Sequence, residues 1–330
     1  MFETTRPFRQ VTANQNHIRG ALLGTAAGDA LGMPVEGISH AHVRTYYNGI
    51  KEYRDDEERR DLSAGQWTDD TQFTFALVRA LTRADVPAEF PKRAAREYVE
   101  LLPEARRWGP TSRSAVERLA GGASHEESGS AESATNGAAM RASPLGAWWS
   151  VRDVSHEEAW AALRPVFEVT HRHPASVAAG FGQAFAVRQA LRRVPDALDQ
   201  GAFWREVTQI TAWAEEQLGD DRRVSERLRA LSEHLSDTPL DLLDRCDGVG
   251  VAADEAWPFA VAMFARNPGL NEATLLSAIN VGGDTDTVGA MTGALLGALH
   301  GWSAFPDGWQ TGLEDADRLL AEADAFYEAL

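Results

Sequence analysis

Cysteine is almost absent from this sequence, with Cys246 as the single thiol in 330 residues. One cysteine cannot build a disulfide framework or a zinc site of the CxxC type. Basic residues are also scarce, since 32 Lys and Arg stand against 49 Asp and Glu, for a formal net charge of −17. Nucleic acids and anionic membranes attract basic faces, so this balance argues against general binding to either.

Long apolar runs are missing as well. No window reaches the roughly 18 consecutive apolar residues of a membrane span, and residues 1–18 lack the apolar core of a signal peptide. We therefore expect a cytoplasmic protein without membrane contacts. Alternating β-strand patterns are few and a βαβ rhythm is absent. These features predict an all-α chain, organised as a single domain over residues 1–330 with residues 1–16 as an N-terminal extension. We expect it to be a monomer.

Two segments place carboxylates and hydroxyls at the start of an apolar helical pattern. They are GGDTDT at residues 282–287 and WTDDTQ at residues 67–72. Asp and Thr are common helix N-caps, and acids suit the positive end of the helix dipole, so either segment alone is explained more simply as a cap. Two copies about 215 residues apart are harder to explain in this way. Hard oxygen donors at this density suit Mg²⁺ or Mn²⁺.

Glycine recurs at every fourth position in two helical patterns, at residues 20, 24, 28 and 32 and again at residues 289, 293, 297 and 301. On a helix this spacing produces one nearly straight ridge. An interior glycine costs about 1 kcal/mol relative to alanine, and close approach of another backbone is the usual compensation. The pattern predicts two tightly packed helices deep in the core, with each other as one candidate partner.

The remaining chain reads as further helices and loops. Helices are predicted at residues 94–102, 114–119, 175–192 and 313–330, outer amphipathic helices within 199–244, and a mobile loop at 121–135. Asn136 is a candidate cap for a helix whose free backbone amides would suit a phosphate, or a plain cap with Met140 in the core. His171 lies in a turn before Pro174, where histidine is more often structural than catalytic.

In order and spacing, these segments resemble the ADP-ribosylglycohydrolase family, of the dinitrogenase reductase-activating glycohydrolase type. The resemblance covers about residues 18–309 and rests on GALLGTAAGDALGMPVEG, WTDDTQ, NGAAMRASPLG, THRHP, GVGVAADEAWP and INVGGDTDTVGAMTGALLGALHG. It implies a compact orthogonal helical bundle with two Mg²⁺ or Mn²⁺ ions in a central cleft.

The resemblance also implies roles for individual residues of this sequence. The implied metal ligands are Thr68, Asp69, Asp70, Asp284, Asp286 and Thr287, with Asp286 as the bridge between the ions. The implied catalytic residues are Asp69, Asp70 and Asp284, which are expected to manage water and proton transfers, and Glu36, which matches the family's mobile-loop glutamate near the metals. The residues implied to lie around the ADP-ribose are Glu36, Asn136, Gly137, Met140, His171 and Gly283.

The implied reaction is metal-dependent hydrolysis of the N- or O-glycosidic bond between ADP-ribose and an acceptor, which is a protein side chain or a small conjugate. Paired metal ions can hold the ribose hydroxyls and activate water near neutral pH, and neighbouring carboxylates can transfer protons. Three alternatives remain open: a two-metal phosphohydrolase acting on a nucleotide or phosphate ester, a non-catalytic ADP-ribose-binding member of the same fold, and two purely structural helix caps. Residues 33–64 and 108–135 are the segments expected to select the acceptor.

Overall fold

The computed structural model of the protein describes residues 13–219 and 223–330. These residues form sixteen α-helices, with three isolated β-bridges and no sheet, so the predicted all-α fold is confirmed. The helices are α1 (Gln15–Gly32), α2 (His40–Tyr47), α3 (Asp69–Thr82), α4 (Phe90–Leu101), α5 (Pro110–Ala120), α6 (Ser143–Ser150), α7 (His156–Glu168), α8 (Pro174–Leu191), α9 (Gln200–Leu218), α10 (Arg223–Leu231), α11 (Pro239–Arg245), α12 (Ala253–Arg266), α13 (Asn271–Ile279), α14 (Thr285–His300), α15 (Asp307–Gly312) and α16 (Ala316–Ala329). Within the described ranges, no helix has both the length and the apolar character to cross a membrane.

Helix α1 carries the first glycine ridge. It begins at Gln15 because the side chain of Asn14 accepts a hydrogen bond from the backbone N–H of His17 (3.2 Å). The N-terminal extension was predicted to end at residue 16, but Gln15 and Asn16 already belong to the helix. Residues 1–12 of that extension lie outside the described residues.

The two glycine ridges face each other along antiparallel α1 and α14, as the spacing suggested. A Cβ atom at Gly28 would lie 1.9 Å from the carbonyl oxygen of Gly289, and one at Gly24 would lie 2.3 Å from that of Gly293. Any side chain at these positions would therefore collide with backbone, which has no rotamer to change. Every residue of α14 from Thr285 to Leu299 is buried, so the pair forms the centre of the molecule.

The other helices surround this pair. Helix α14 also packs against α8, α12 and α13, while α1 packs against α3 and α16. The buried apolar side chains form one connected core that runs from Ala13 to Phe326. The packing brings the start of α3 and the start of α14 to the C-terminal half of α1, and this junction holds the candidate site.

Several predicted element boundaries were wrong for local reasons. A helix was expected to begin at residue 114, but α5 already begins at Pro110, since proline at the first helical position loses no hydrogen bond. Asn136 was expected to cap a helix, yet it opens a short 3₁₀ turn, Asn136–Ala138, and α6 begins only at Ser143. The last helix begins at Ala316 rather than Leu313.

The loop at residues 121–135, predicted to be mobile, is tied to the body of the protein. Ser128 is fully buried and its hydroxyl donates to the carbonyl oxygen of Val169 (2.7 Å). The backbone N–H of Ser130 donates to the carbonyl oxygen of Thr170 (3.0 Å). Small and polar residues in this loop therefore reflect close packing and specific hydrogen bonds.

The ridge contact generates a stability prediction. Gly24→Ala should lower the free energy of unfolding by about 3 kcal/mol or more, at or beyond the upper end of usual overpacking costs, because the new methyl group meets a backbone carbonyl. Gly308→Ala is the matched control, since Gly308 lies in α15 with nothing within 4 Å of its Cβ position. The control should be neutral or slightly stabilising. Urea denaturation measures both, and equal stability of the two variants would contradict the packing.

Candidate metal centre

Asp29 joins α1 to the start of α3. Its carboxylate, fully buried, accepts hydrogen bonds from the backbone N–H groups of Thr68 and Thr71 (3.0 Å each). It also accepts from their hydroxyls, at 2.9 Å for Thr68 and 2.6 Å for Thr71. A carboxylate at a helix N-terminus satisfies orphan N–H groups and suits the dipole. Asp29 thus caps α3 from outside that helix.

The two Asp/Thr segments do not cap their own helices. Thr68 and Asp284 occupy the N-cap positions of α3 and α14, and neither side chain makes a capping hydrogen bond. Capping by these two side chains therefore does not explain the two segments. The acidic side chains that follow are free to converge on one another across the junction.

Five carboxylates assemble at the junction in two overlapping groups. Oxygens of Asp29, Asp70 and Asp286 lie within 4.8 Å of one another, and so do oxygens of Glu36, Asp284 and Asp286. Asp286 belongs to both groups. Asp69 belongs to neither group, although it borders the same cleft and its Oδ2 accepts from the N–H of Gly109 (3.4 Å).

Hydroxyls of the two segments also reach this cluster. The Thr287 hydroxyl lies 3.5 Å from Asp70 Oδ2, and the Thr287 N–H donates to Asp286 Oδ1 (2.9 Å). Thr68 is buried, and its hydroxyl keeps lone pairs after donating to Asp29. Asp70 Oδ1 is buried without any hydrogen-bond donor among the described residues. An acceptor oxygen left in this state fits a cation better than it fits an apolar core.

Burial dominates the electrostatics of the cluster. It raises the pKa of Asp29 to about 6, although four hydrogen bonds oppose the shift, and it raises the pKa of Asp284 to about 6 against a hydrogen bond from Asn136. Burial followed by repulsion from neighbouring carboxylates holds the pKa values of Asp69, Asp70 and Asp286 well above the ordinary range. Carboxylates this close cannot all ionise alone, so the cluster needs protons or divalent cations.

A cleft of about 560 Å³, counted to its open mouth, lies over the cluster. Nine of the twelve residues predicted for the site line it: Glu36, Asp69, Asn136, Gly137, Met140, His171, Asp284, Asp286 and Thr287. Thr68 and Asp70 lie buried beneath it. Gly283 does not line it; instead its backbone pairs with the turn after Glu36, through Gly37 N–H to Gly283 O (2.8 Å) and Gly283 N–H to Ile38 O (3.0 Å).

Asn136 and Gly137 are held at the cleft by different neighbours. The Asn136 side-chain amide donates to Asp284 Oδ2 (2.6 Å), so it orients a carboxylate of the cluster. Gly137 packs under the His171 ring, where a Cβ atom would lie 2.5 Å from the imidazole Cε1. Only glycine allows this approach.

His171 is fixed as a neutral ring by a buried relay. The Arg141 guanidinium donates to the Thr170 hydroxyl, which lies 2.7 Å from His171 Nδ1, and His171 Nε2 lies 3.0 Å from the Thr135 hydroxyl. Since arginine only donates, the arrangement with every partner satisfied has Thr170 donating to Nδ1 and a protonated Nε2 donating to Thr135. Burial holds the pKa of His171 well below its usual range. The ring therefore positions the segment that carries Asn136.

Sequence reasoning missed two residues of this site. Asp29 was not predicted for the site, although an acid inside an apolar helix needs a buried partner and is a signal for such a role. Arg107 lines the cleft beside Glu36. No local sequence pattern predicted a role for Arg107, because its partners come from segments distant in the sequence.

Comparison with known proteins is consistent with this geometry. The ADP-ribosylglycohydrolase family model matches residues 10–330. The chain is 28% identical to the mouse protein ADP-ribosylhydrolase ARH3, over 92% of this chain and 90% of that protein. It is also 28% identical to the ADP-ribosyl-[dinitrogen reductase] glycohydrolase of Rhodospirillum rubrum, over 89% of each chain.

A solved structure agrees with the fold as well. An ADP-ribosylglycohydrolase-related protein complex superposes with a TM-score of 0.73 at 27% identity, over 97% of this chain and 99% of the other. The all-α scaffold, the paired acidic helix starts and a family match over nearly the whole length all agree. The chain belongs to the ADP-ribosylglycohydrolase family.

Proposed function

We propose that the protein hydrolyses the glycosidic bond between ADP-ribose and an acceptor, with two divalent cations, Mg²⁺ or Mn²⁺, as cofactors. The observation that carries the proposal is the pair of overlapping carboxylate groups sharing Asp286 at the floor of an open cleft. Family membership supports the substrate class, and the names of the two relatives both refer to ADP-ribosyl hydrolysis.

The residues present fit a pair of hard cations. All the donors are oxygens, the ligand preference of Mg²⁺ and Mn²⁺. Asp29, Asp70 and Asp286 would hold one ion, and Glu36, Asp284 and Asp286 the other, with Thr68, Thr287 and Asp69 at their edges. When bound, such ions supply Lewis acidity and lower the pKa of water.

The chain's own residues supply orientation and proton transfer. Asp284 lines the cleft, and the Asn136 amide fixes the direction of its Oδ2, so this carboxylate is held in one orientation, as a proton-transfer group must be. Glu36 lies at the mouth, partly exposed, beside Asp284 and Asp286. Asn136, Gly137 and Met140 form the wall against which an ADP-ribose would lie.

Asp284→Asn tests the catalytic assignment. The change keeps the size of the side chain but removes its charge, so turnover of an ADP-ribosylated substrate should fall at least about 100-fold, as expected for loss of an acid–base group. Thermal unfolding should show an intact fold. Asp307→Asn, an exposed carboxylate on α15, is the control and should keep full activity. Near-normal hydrolysis by Asp284→Asn would exclude the assigned role.

The identity of the product tests the reaction itself. Substrate panels bearing ADP-ribose on arginine, serine or acetate should release free ADP-ribose with an intact pyrophosphate, and chelator should stop the release. Release of AMP or inorganic phosphate instead would favour the phosphohydrolase alternative, and tight binding without release would favour a binding protein.

Proton–metal competition gives a stability prediction. The pKa values of Asp29 and Asp284 are higher in the metal-free folded state than in the unfolded chain. These two groups therefore stabilise the metal-free fold fully below about pH 4, and their contribution is lost as the pH rises through about 6. Divalent cations replace the protons, so the rise in Tm on adding Mg²⁺ or Mn²⁺ should be larger near pH 7.5 than near pH 5.5.

The size of the effect is set by mass action. A ligand that binds only the folded state stabilises it by about 2.7 kcal/mol per site at 100 times its Kd. Differential scanning calorimetry with metal or with chelator measures the difference at each pH. Asp286→Asn should lose most of the metal-dependent rise, because this residue belongs to both groups. No rise at either pH in the unmodified protein would contradict a cation site here.

A further inference from the structure

Arg107 lies on the turn between α4 and α5 with a left-handed backbone (φ 51°), uncommon for a residue other than glycine. The turn is held on α3 because Gln72 Oε1 accepts from the N–H of Arg106 (3.0 Å) and from Trp108 Nε1 (2.7 Å). The two consecutive arginines consequently enter different surroundings. Arg106 forms an ion pair with Glu314, whereas Arg107 lines the cleft.

The Arg107 guanidinium has five N–H groups, and the structure offers five contacts to acceptors. Nη1 donates to the carbonyl oxygen of Met33 (3.2 Å) and to Glu36 Oε2 (3.4 Å). Nη2 donates to Asp56 Oδ2 (2.5 Å) and to Asp61, and Nε donates to the second oxygen of Asp61 (3.2 Å). The side chain is only 10% exposed. One arginine thus joins the turn bearing Glu36 to a separate segment of the chain.

That segment, residues 55–61, reads DDEERRD and contains no apolar side chain. It cannot be held by hydrophobic burial of its own residues, so hydrogen bonds and ion pairs hold it, among them the bond from Asp56 N–H to Leu62 O (3.0 Å). Asp56 is its buried member, with a side chain 2% exposed, and its Oδ1 accepts from the N–H groups of Glu58 (2.9 Å) and Arg59 (2.8 Å). Removing the Arg107 guanidinium paired with Asp56 would leave a buried charge uncompensated, which is strongly destabilising locally.

The segment also reaches back to the cleft. Arg59 Nη1 donates to Glu36 Oε2 (2.5 Å), the same oxygen that Arg107 contacts. Glu36 is therefore held by one guanidinium from the segment and by another from the body of the protein. Its other neighbours are Asp284 and Asp286, so its placement bears directly on the acidic cluster.

We propose that Arg107 is a positioning residue that fastens segment 55–61 to the body of the protein and fixes Glu36 at the mouth of the cleft. The part that concerns turnover rests on the proposed function; the part that concerns the segment does not. Arg107 acts through Glu36 and Asp56 and is assigned no contact with substrate.

Hydrogen exchange measured by mass spectrometry tests the fastening. Arg107→Gln should accelerate exchange of the amides of Glu58 and Arg59 by about tenfold or more, because these amides depend on Asp56 and report local opening. Arg106→Gln is the control: it removes the neighbouring ion pair with Glu314 without touching the segment, and exchange there should not change. Arg107→Lys retains the charge with fewer donors and should restore part of the protection.

Kinetics test the link to Glu36. Arg107→Gln should lower kcat by about tenfold, within the range of coupled pairs, and Arg107→Lys should recover part of it. Glu36→Gln should lower kcat as well, and the double variant should be no worse than Glu36→Gln alone, because Arg107 acts through that residue. Fully additive losses would overturn the positioning role, as would unchanged kcat in Arg107→Gln.

The hydrogen-exchange and kinetic measurements test the proposal and the proposed function separately. Unchanged exchange in Arg107→Gln overturns the fastening whether or not the protein is a hydrolase. Absence of hydrolysis by the unmodified protein on every ADP-ribosylated substrate refutes the proposed function, while the exchange result still decides whether Arg107 holds the segment. Accelerated exchange throughout the chain, in place of exchange confined to residues 55–61, would also overturn the proposal.

Discussion

The site depends on the direct contact between the backbones of α1 and α14. At the end of this contact a Cβ at Gly32 would lie 2.1 Å from the carbonyl oxygen of Thr285, and the Thr285 hydroxyl donates to Gly32 O (2.8 Å). The first turn of α14 is therefore in register with the last turn of α1. This register brings Asp286, near the start of one helix, to Asp29, one turn before the end of the other. Larger residues in the ridges would separate the helices and with them the two carboxylates.

Helix capping and metal binding compete for the same kinds of side chain, and the fold separates the two tasks. Asp29 satisfies the orphan N–H groups of α3, so Asp69 and Asp70 are not needed there. The positive ends of two helix dipoles face the cluster and disfavour cations, by about half a charge each. Five carboxylates outweigh that effect. Burial first, and repulsion between neighbouring carboxylates second, raise the pKa values of Asp70 and Asp286.

The sequence predicted the features that depend on repetition along the chain. The period of four in the glycines indicated a backbone contact, and two similar acidic segments indicated one site formed from two distant pieces. Asp29 and Arg107 were not predicted, because their partners are brought to them by tertiary packing: Asp29 meets Thr68, 39 positions away, and Arg107 meets Glu36, 71 positions away. Asn136 illustrates the opposite error, since its local pattern was that of a cap while its side chain serves Asp284.

The antiparallel pairing of the two ridges also constrains biosynthesis. Gly32 and its partner Thr285 are 253 positions apart, so at 5–20 residues per second a ribosome needs about 13–50 s to deliver α14 after α1. Throughout that interval α1 presents an apolar, glycine-lined face without its native partner, the kind of surface that chaperones recognise. Closing so large a loop is entropically costly, and the packing energy that offsets this cost is gained only when both ridges are in contact. The acidic cluster, completed by the first turn of α14, is consequently assembled late.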